Sequence, residues 1–196
     1  MRNGQLKPAY NVQIAVNSEY LTGLEVFSDR TDVKTLRPML NMLSRRHQAR
    51  YEEVVADAGY ESLENYLYLE QNGQLCFIKP TNYDQKKTKK FRKQVGRIEN
   101  MKYAPEEDSF TCAQGRKLHL RREATEVRDG QLVSTAWYRC ENCSGCPHRA
   151  QCCRAKAPDK PKEIILKKTF WEKREQATRN IMTERGIQLR LCRSIQ

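Results

Sequence analysis

The clearest pattern in the chain is a strict alternation of apolar and polar residues near its start. Residues 10–17 read YNVQIAVN, and this period of two predicts a β-strand with one buried face. Residues 21–27 follow a four-residue turn and are predicted to pair with that strand as a hairpin. The face predicted to be buried consists of Tyr10, Val12, Ile14 and Val16.

Helical and strand-like patterns alternate over the next fifty residues. Asp32 is predicted to cap a helix whose apolar residues recur every three or four positions and which ends near His47. A second helix is predicted between Ser62, its N-cap, and Gly73, its terminator. The short apolar runs EVVA and LCFI, residues 53–56 and 75–78, are predicted to be buried strands. The order β-β-α-β-α-β predicts an α/β fold with a mixed sheet and helices on its faces.

The pattern changes after Pro80. Short strands are predicted at residues 110–120 and 137–139, with a hairpin turn at Asp129-Gly130 and a linker at residues 155–161. Thr169 and Glu172 have the spacing of a capping box, which predicts a helix to about residue 185 and a break at Gly186. We therefore divide the chain into residues 1–80, 81–165 and 166–196, the last part predicted to be helical and to return to the first.

Charge is distributed unevenly between these parts. The 196 residues carry a formal net charge of +12, yet residues 1–80 contain nine Lys or Arg against ten Asp or Glu. The excess therefore lies in residues 81–196, and such an asymmetry favours a polyanionic partner such as nucleic acid. A solvated, solubilising surface is the alternative interpretation.

The densest basic stretch is residues 85–102, with eight basic residues and one acidic residue. Its apolar positions 91, 95 and 98 predict one short helix with a thin apolar stripe and a broad cationic face, and a basic loop is the alternative. Cations on such a face neutralise DNA phosphates. The predicted phosphate contacts are Lys86, Lys87, Lys89, Lys90, Arg92 and Lys93.

Five of the eight cysteines lie within residues 140–153. No apolar signal segment is present at the start, which predicts a cytoplasmic, reducing environment in which disulfides are not expected. Four thiolates at this spacing suit a tetrahedral, structural Zn²⁺ site. His148 or the distant Cys112 are alternative ligands, and an iron–sulfur cluster or no metal at all remain open. The predicted ligands are Cys140, Cys143, Cys146 and Cys152; Cys76 and Cys192 are predicted to be small core residues.

Asp57 is the strongest candidate for catalytic chemistry. It follows the EVVA run and precedes Ala-Gly, which predicts a carboxylate at the carboxyl edge of a strand, where open α/β sheets place ligands. A carboxylate there is suited to Mg²⁺, although an Asp that shapes the turn before Gly59 is the alternative. The sequence has no phosphate-binding glycine loop, no nucleophile elbow, and no apolar run long enough to span a membrane.

Four segments in this order resemble one protein family. They are GQLKPAYNVQIAV at residues 4–16, VVADAGYES at 54–62, the cysteine cluster YRCENCSGCPHRAQC, and RGIQLRLCRSIQ at 185–196. Together they resemble the C-terminal half of bacterial insertion-sequence transposases of the DDE class. The resemblance implies a partial ribonuclease H-like core, a basic cysteine-rich insertion, and DNA as substrate.

The resemblance also implies a mechanism and the role of one residue. In the family, three acidic residues hold two Mg²⁺ ions that cut and join DNA, and Asp57 matches the second of these acids. The first acid lies before the strand that opens this chain and the catalytic Glu lies beyond Gln196, so we expect a truncated chain with no strand cleavage as written. A homodimer is a further hypothesis, and a non-catalytic zinc-containing nucleic-acid-binding module derived from a transposon is the alternative function.

Overall fold

The structure, a computed structural model, describes residues 10–153 and 160–195, with the backbone only for 193–195. The chain divides into two compact units. Unit 1 contains the residues up to Thr81 together with those from Lys173 onward, and unit 2 is Asn82–Glu172. No helix in the described ranges has the length and apolar character needed to cross a membrane. The predicted linker at residues 155–161 lies largely outside the described residues.

Unit 1 has the predicted order of strands and helices. The two short apolar runs form strands at the predicted residues, and the mixed α/β class is confirmed. The elements are β1 (Asn11–Asn17), β2 (Tyr20–Phe27), α1 (Leu36–His47), β3 (Glu53–Ala56), α2 (Leu63–Gln71) and β4 (Leu75–Ile78). Near the C-terminus follow α5 (Lys168–Met182), which crosses the boundary between the units, and α6 (Glu184–Ile195).

The strands of unit 1 form two separate pairs. β1 and β2 pair antiparallel, and β3 and β4 pair parallel. No strand within the described ranges hydrogen-bonds to both pairs. The prediction of a single mixed sheet is therefore wrong for these residues, because strand patterns in a sequence do not specify which non-neighbouring strands pair.

The hairpin faces the opposite way from the prediction. Val12, Ile14 and Val16 are 45–60% exposed, whereas Gln13 is only 6% exposed. The buried face packs on α1, where Ala15 and Phe27 contact a cluster formed by Met39, Met42 and Leu43. Gly23 permits this packing, because a Cβ there would lie 2.6 Å from Cδ2 of Leu43.

Of the four ends of α1 and α2, three agree with the prediction from the sequence and one differs. Ser62 caps α2 by accepting a hydrogen bond from the Asn65 amide at 3.1 Å, and Gly73 follows the helix with φ +66°. α1 ends at His47, as predicted. Asp32 is not its cap: it begins a single 3₁₀ turn, Asp32–Lys34, and α1 starts at Leu36.

Unit 2 is built on one antiparallel sheet in the order β5-β6-β7-β8-β9. Its core contains Phe110, Leu118 and Tyr138, all at most 2% exposed. The predicted turn joins the two long strands, with positive φ at both Asp129 and Gly130. The strands are β5 (Lys102–Ala104), β6 (Ser109–Thr111), β7 (Lys117–Arg128), β8 (Gln131–Cys140) and β9 (Glu163–Leu166).

Two helical predictions in the second half are wrong. The basic stretch forms only a four-residue helix, α3 (Lys89–Arg92), and α4 (Arg149–Cys152) is equally short.

Thr169 lies inside α5, and its Oγ1 accepts a hydrogen bond from the Ser134 amide at 2.9 Å instead of capping the helix. The predicted long helix is interrupted at Thr183, before Gly186. A Cβ at Gly186 would lie 2.2 Å from the Asn180 carbonyl oxygen, so this glycine lets α6 begin close to α5.

Candidate functional site

Asp57 lies directly after the last residue of β3 and is exposed. Val54 and Ala56 anchor the strand with their buried side chains. The backbone carbonyl of Asp57 accepts a hydrogen bond from the Tyr60 amide at 3.1 Å, which closes the short turn after the strand. Because β3 and β4 run parallel, this turn lies at their common carboxyl edge.

A second carboxylate lies beside this turn. A Cβ built on Gly59 would be 2.9 Å from Oδ2 of Asp32. Oδ1 of Asp32 accepts hydrogen bonds from the side-chain amides of Asn11, at 2.9 Å, and Gln13, at 3.2 Å. Sequence reasoning interpreted Asp32 as a helix cap and missed this placement. The sequence feature that could have revealed this placement is the polar face of β1, because its Asn11 and Gln13 bind Asp32. The alternation had predicted that this face is exposed to solvent.

Glu61, which follows the same turn, is a structural carboxylate. Its side chain is 1% exposed and forms an ion pair with Arg174 of α5. The guanidinium Nε and Nη2 donate at 2.7 and 3.0 Å, and the amide and hydroxyl of Thr81 both donate at 2.8 Å. Burial raises the pKa of Glu61, but the hydrogen bonds from Arg174 and Thr81 outweigh it and hold the pKa below its usual value. Glu61 therefore ties α5 to the segment that carries Asp57.

The described residues contain no group of three or more His, Cys, Asp or Glu side chains arranged to hold a metal ion. At the carboxyl edge of β3, Asp57 stands at the end of the strand, and the carboxylate of Asp32 lies beside Gly59 in the turn that follows. Oxygen donors of this kind match the preference of Mg²⁺. Asp57 would supply one ligand to such an ion.

The cysteine cluster of unit 2 surrounds a small cavity of about 20 Å³. Cys140 ends β8, Cys143 and Cys146 flank a turn at Gly145 with φ +63°, and Cys152 ends α4. Two further cysteines also line the cavity, Cys112 after β6 and Cys153 after α4, whereas His148 does not. The six thiols are free. Of the two predicted core cysteines, Cys76 is half-buried and Cys192 is exposed, so the prediction for Cys192 is wrong.

Basic side chains surround the cysteine cluster. Arg116 donates through Nη1 to the carbonyls of Asn142, at 2.8 Å, and Ser144, at 3.1 Å, and so fixes the turn between Cys140 and Cys146. The Lys162 amide donates to Sγ of Cys143 at 3.3 Å, and its Nζ donates to the Cys152 carbonyl at 2.8 Å. Burial, together with the neighbouring thiols, raises the pKa of Cys140 to about 12.

The predicted DNA contacts lie on two short helical segments within residues 85–92 and on Lys93, which directly follows them. Lys87, Lys89, Lys90, Arg92 and Lys93 are exposed, and Lys86 is half-buried with its Nζ 6.0 Å from the ring centre of Trp171. The buried ring of Phe91 anchors the segment, and Thr88 caps α3 by accepting from the Phe91 amide at 3.2 Å. The segment is therefore fixed to the unit while most of its charges face solvent, and Lys87 also forms an ion pair with Asp84 at 3.5 Å.

Part of the chain matches the model of a known protein family. The family model of the transposase DDE domain matches residues 111–196, which is less than half of the chain and begins after Asp57. No curated protein and no solved structure matches the chain. The match covers most of the cysteine-rich sheet and both C-terminal helices, and it agrees with the resemblance drawn from the sequence motifs. Residues 111–196 are therefore similar to the transposase DDE domain family.

Proposed function

We propose that the chain serves DNA transposition, with unit 1 contributing to a Mg²⁺-dependent strand-transfer site and unit 2 binding DNA. The observation that carries the catalytic part is the exposed carboxylate of Asp57 at the carboxyl edge of two parallel strands. A bound Mg²⁺ would supply Lewis-acid stabilisation of the attacked phosphate. Asp57 would hold the ion, and Asp32, fixed by Asn11 and Gln13, would add negative charge beside it.

We also propose that unit 1 is part of a ribonuclease H-like sheet. The antiparallel pair β1–β2 and the parallel pair β3–β4 have the pairings expected on the two sides of such a sheet. In a sheet of that kind, one further strand between β1 and β3 would join the two pairs. This arrangement is supported by the outer edges of β1 and β3, which have no partner strand within the described residues.

DNA would be bound through the exposed ammonium and guanidinium groups of residues 86–93. Contacts of this type neutralise phosphates and release counterions, so affinity falls with salt concentration. The fixed position of the segment on Phe91 limits the ordering cost of binding. Such contacts carry no sequence information directly, so these residues would position DNA rather than select a site.

We propose that the cysteine cluster holds a structural Zn²⁺ ion once its thiols, which are not gathered as a metal-binding group in the described residues, close around the metal. Its cavity of about 20 Å³ is lined by thiols that come from three places in the chain: the β6–β7 turn, the end of β8, and α4. The backbone hydrogen bond to Sγ of Cys143 and the nearby Arg116, Arg149 and Lys162 would stabilise the negative charge of a tetrathiolate site. Cys112 joins the predicted ligands as a candidate, because it lines the same cavity.

Substitution of single cysteines tests the zinc proposal. Metal content by mass spectrometry is expected to be one zinc per chain in the wild type and to fall in Cys112→Ser and Cys143→Ser. Cys192→Ser is the matched control, because that thiol is exposed and lies outside unit 2. A wild-type protein purified without metal, with a melting temperature that a chelator does not change, would contradict the zinc site.

A second candidate function is a non-catalytic, zinc-containing DNA-binding module. It is favoured by the placement of both the basic segment and the cysteine cluster in unit 2, whose five-stranded sheet has its own core. This function needs no carboxylate at residue 57. The two candidates therefore differ in what Asp57 does.

Mn²⁺ binding in the presence of duplex DNA distinguishes the two candidates. The strand-transfer proposal predicts Mn²⁺ binding, measured by calorimetry, that Asp57→Asn abolishes while DNA affinity is unchanged. Asp129→Asn is the control, since Asp129 is an exposed turn residue whose left-handed φ of 48° suits Asn. Equal Mn²⁺ binding by Asp57→Asn and the wild type would favour the non-catalytic module.

A further inference from the structure

A wide groove of about 710 Å³ runs along the exposed side of α1 in unit 1. Four cationic side chains line it and no acidic side chain does, although this part of the chain carries no excess of basic residues. A concave surface lined by charges of one sign concentrates the field of those charges. The lining includes Lys34, Arg37, Asn41, Ser44, Arg45 and Arg50.

The spacing of these residues forms a continuous row. Arg37, Asn41 and Arg45 recur every four residues along α1, so they lie on one side of the helix. At about 1.5 Å of rise per residue, the row from Arg37 to Arg45 spans about 12 Å. That length corresponds to three or four phosphates along one strand of B-DNA, at about 3.4 Å of axial rise each.

Helix stability explains Arg45 but not Arg37 at the other end of the row. Cations are favourable in the last turn of a helix, where Arg45 and Arg46 lie, and unfavourable in the first turn. The first turn of α1 contains Arg37 and no acidic residue, so Arg37 stands against the helix dipole. An anionic ligand in the groove would offset that cost.

A buried tyrosine holds two of the arginines in place. Tyr68 of α2 is 7% exposed, and its ring lies 5.4 Å from the guanidinium carbon of Arg37. Nη1 of Arg50 donates to the Tyr68 hydroxyl at 3.4 Å, and that hydroxyl donates to Oδ1 of Asn41 at 2.7 Å. Because these guanidinium groups are already oriented, they lose less entropy when they bind phosphate.

We infer that this groove is a second contact surface for the DNA backbone, carried by unit 1 and separate from the basic segment of unit 2. The inference rests on the proposed DNA-directed function. Arginine and lysine would pair with phosphate oxygens, while Asn41 and Ser44 would donate further hydrogen bonds.

Two neighbouring arginines provide the test. Arg45 lines the groove, whereas Arg46 lies in the same last helical turn, is exposed, and does not line it. The affinity of the full chain for a duplex oligonucleotide is measured by fluorescence anisotropy between 50 and 200 mM salt. For Arg45→Gln we expect the negative slope of log K against log salt to become shallower by about 0.9, because one phosphate contact is lost. Affinity should be reduced several-fold. Arg46→Gln is expected to keep the wild-type slope.

Equal slopes for Arg45→Gln and Arg46→Gln would overturn the inference. If a variant that combines Lys89→Gln and Lys90→Gln nevertheless makes the slope shallower, the inference about the groove is rejected while the proposed DNA binding stands. If neither set of variants makes the slope shallower, both fail. Binding of the groove to vesicles of anionic phospholipid that Arg45→Gln weakens, with no change in the DNA slope, would also overturn the inference.

Discussion

The sheet of unit 2 and the hairpin of unit 1 differ in the burial of their apolar residues. In unit 2, Leu118 and Tyr138 point into a closed core and have no exposed surface. In unit 1, Val12 and Ile14 point outward and keep about half of their surface. A fully buried side chain of this type contributes about 1.5–3 kcal/mol, so the hairpin gains little from its own apolar face.

Unit 1 is held by its own buried side chains, among them Leu67, Leu69 and Ile78, all at most 1% exposed, and by a buried polar contact. The Glu61–Arg174 pair joins the segment after β3 to α5, and Thr81 and Tyr66 complete the hydrogen bonds of the carboxylate. The difference shows that an apolar face contributes to stability only where other side chains cover it. Both units should respond to lost volume in their cores, and unit 1 also to a broken ion pair.

The largest effect is expected from Arg174→Met. This change leaves Glu61 buried without its cation, which costs about 3–5 kcal/mol of the free energy of unfolding. The matched control is Arg185→Met, which breaks the exposed Arg185–Glu53 pair and should cost less than about 1 kcal/mol. Urea denaturation of the full chain measures both. Equal costs for the two variants would show that the buried pair does not hold unit 1 together.

A pair of alanine substitutions sharpens the contrast between the two apolar faces. Leu118→Ala in unit 2 should lower the free energy of unfolding by about 2–5 kcal/mol, because it opens a cavity in a closed core. Ile14→Ala in unit 1 should cost less than about 1 kcal/mol, since that side chain is 60% exposed. The same denaturation experiment decides, and a loss at Ile14 as large as that at Leu118 would mean that the hairpin's outer face is covered in solution.

A smaller effect is expected from acid. The pKa of Glu61 in the folded protein lies below its ordinary value of 4.5. Its stabilising contribution is therefore complete above about pH 4.5 and is lost as the pH falls through the folded-state pKa. Thermal melting between pH 7 and pH 3 should show a shallower decline in Glu61→Gln than in the wild type. A parallel decline in the two proteins would assign the acid sensitivity to other carboxylates.

The elements that the sequence predicted well are those set by local patterns. β3, β4, the Ser62 cap and the Asp129-Gly130 turn each depend on a few neighbouring residues. The errors concern contacts distant in the chain. Alternation in β1 could not reveal that Asn11 and Gln13 bond to Asp32, nor could the capping-box spacing reveal that Thr169 bonds to Ser134.

For the candidate sites too, features set by neighbouring residues could be predicted and contacts between residues distant in the chain could not. The position of Asp57 after β3 could be predicted from the run EVVA and the following Asp-x-Gly, because strand and turn are adjacent. Asp32 beside that turn and the arginine row over Tyr68 depend on tertiary packing, whereas Cys112, an alternative ligand in the sequence analysis, does line the cavity of the cysteine cluster. Charge counting also pointed to residues 81–196 alone, because the sum hides a local groove of cations in a nearly neutral segment.

The most direct test of a metal site at Asp57 is localised cleavage of the backbone by bound iron. Fe²⁺ in place of Mg²⁺, with ascorbate and peroxide, generates radicals that cut the chain next to the ion, and mass spectrometry locates the cuts. We predict cuts at residues 57–61 and near Asp32 that excess Mg²⁺ suppresses and that Asp57→Asn removes. Cuts confined to other parts of the chain, or an unchanged pattern in Asp57→Asn, would contradict the account.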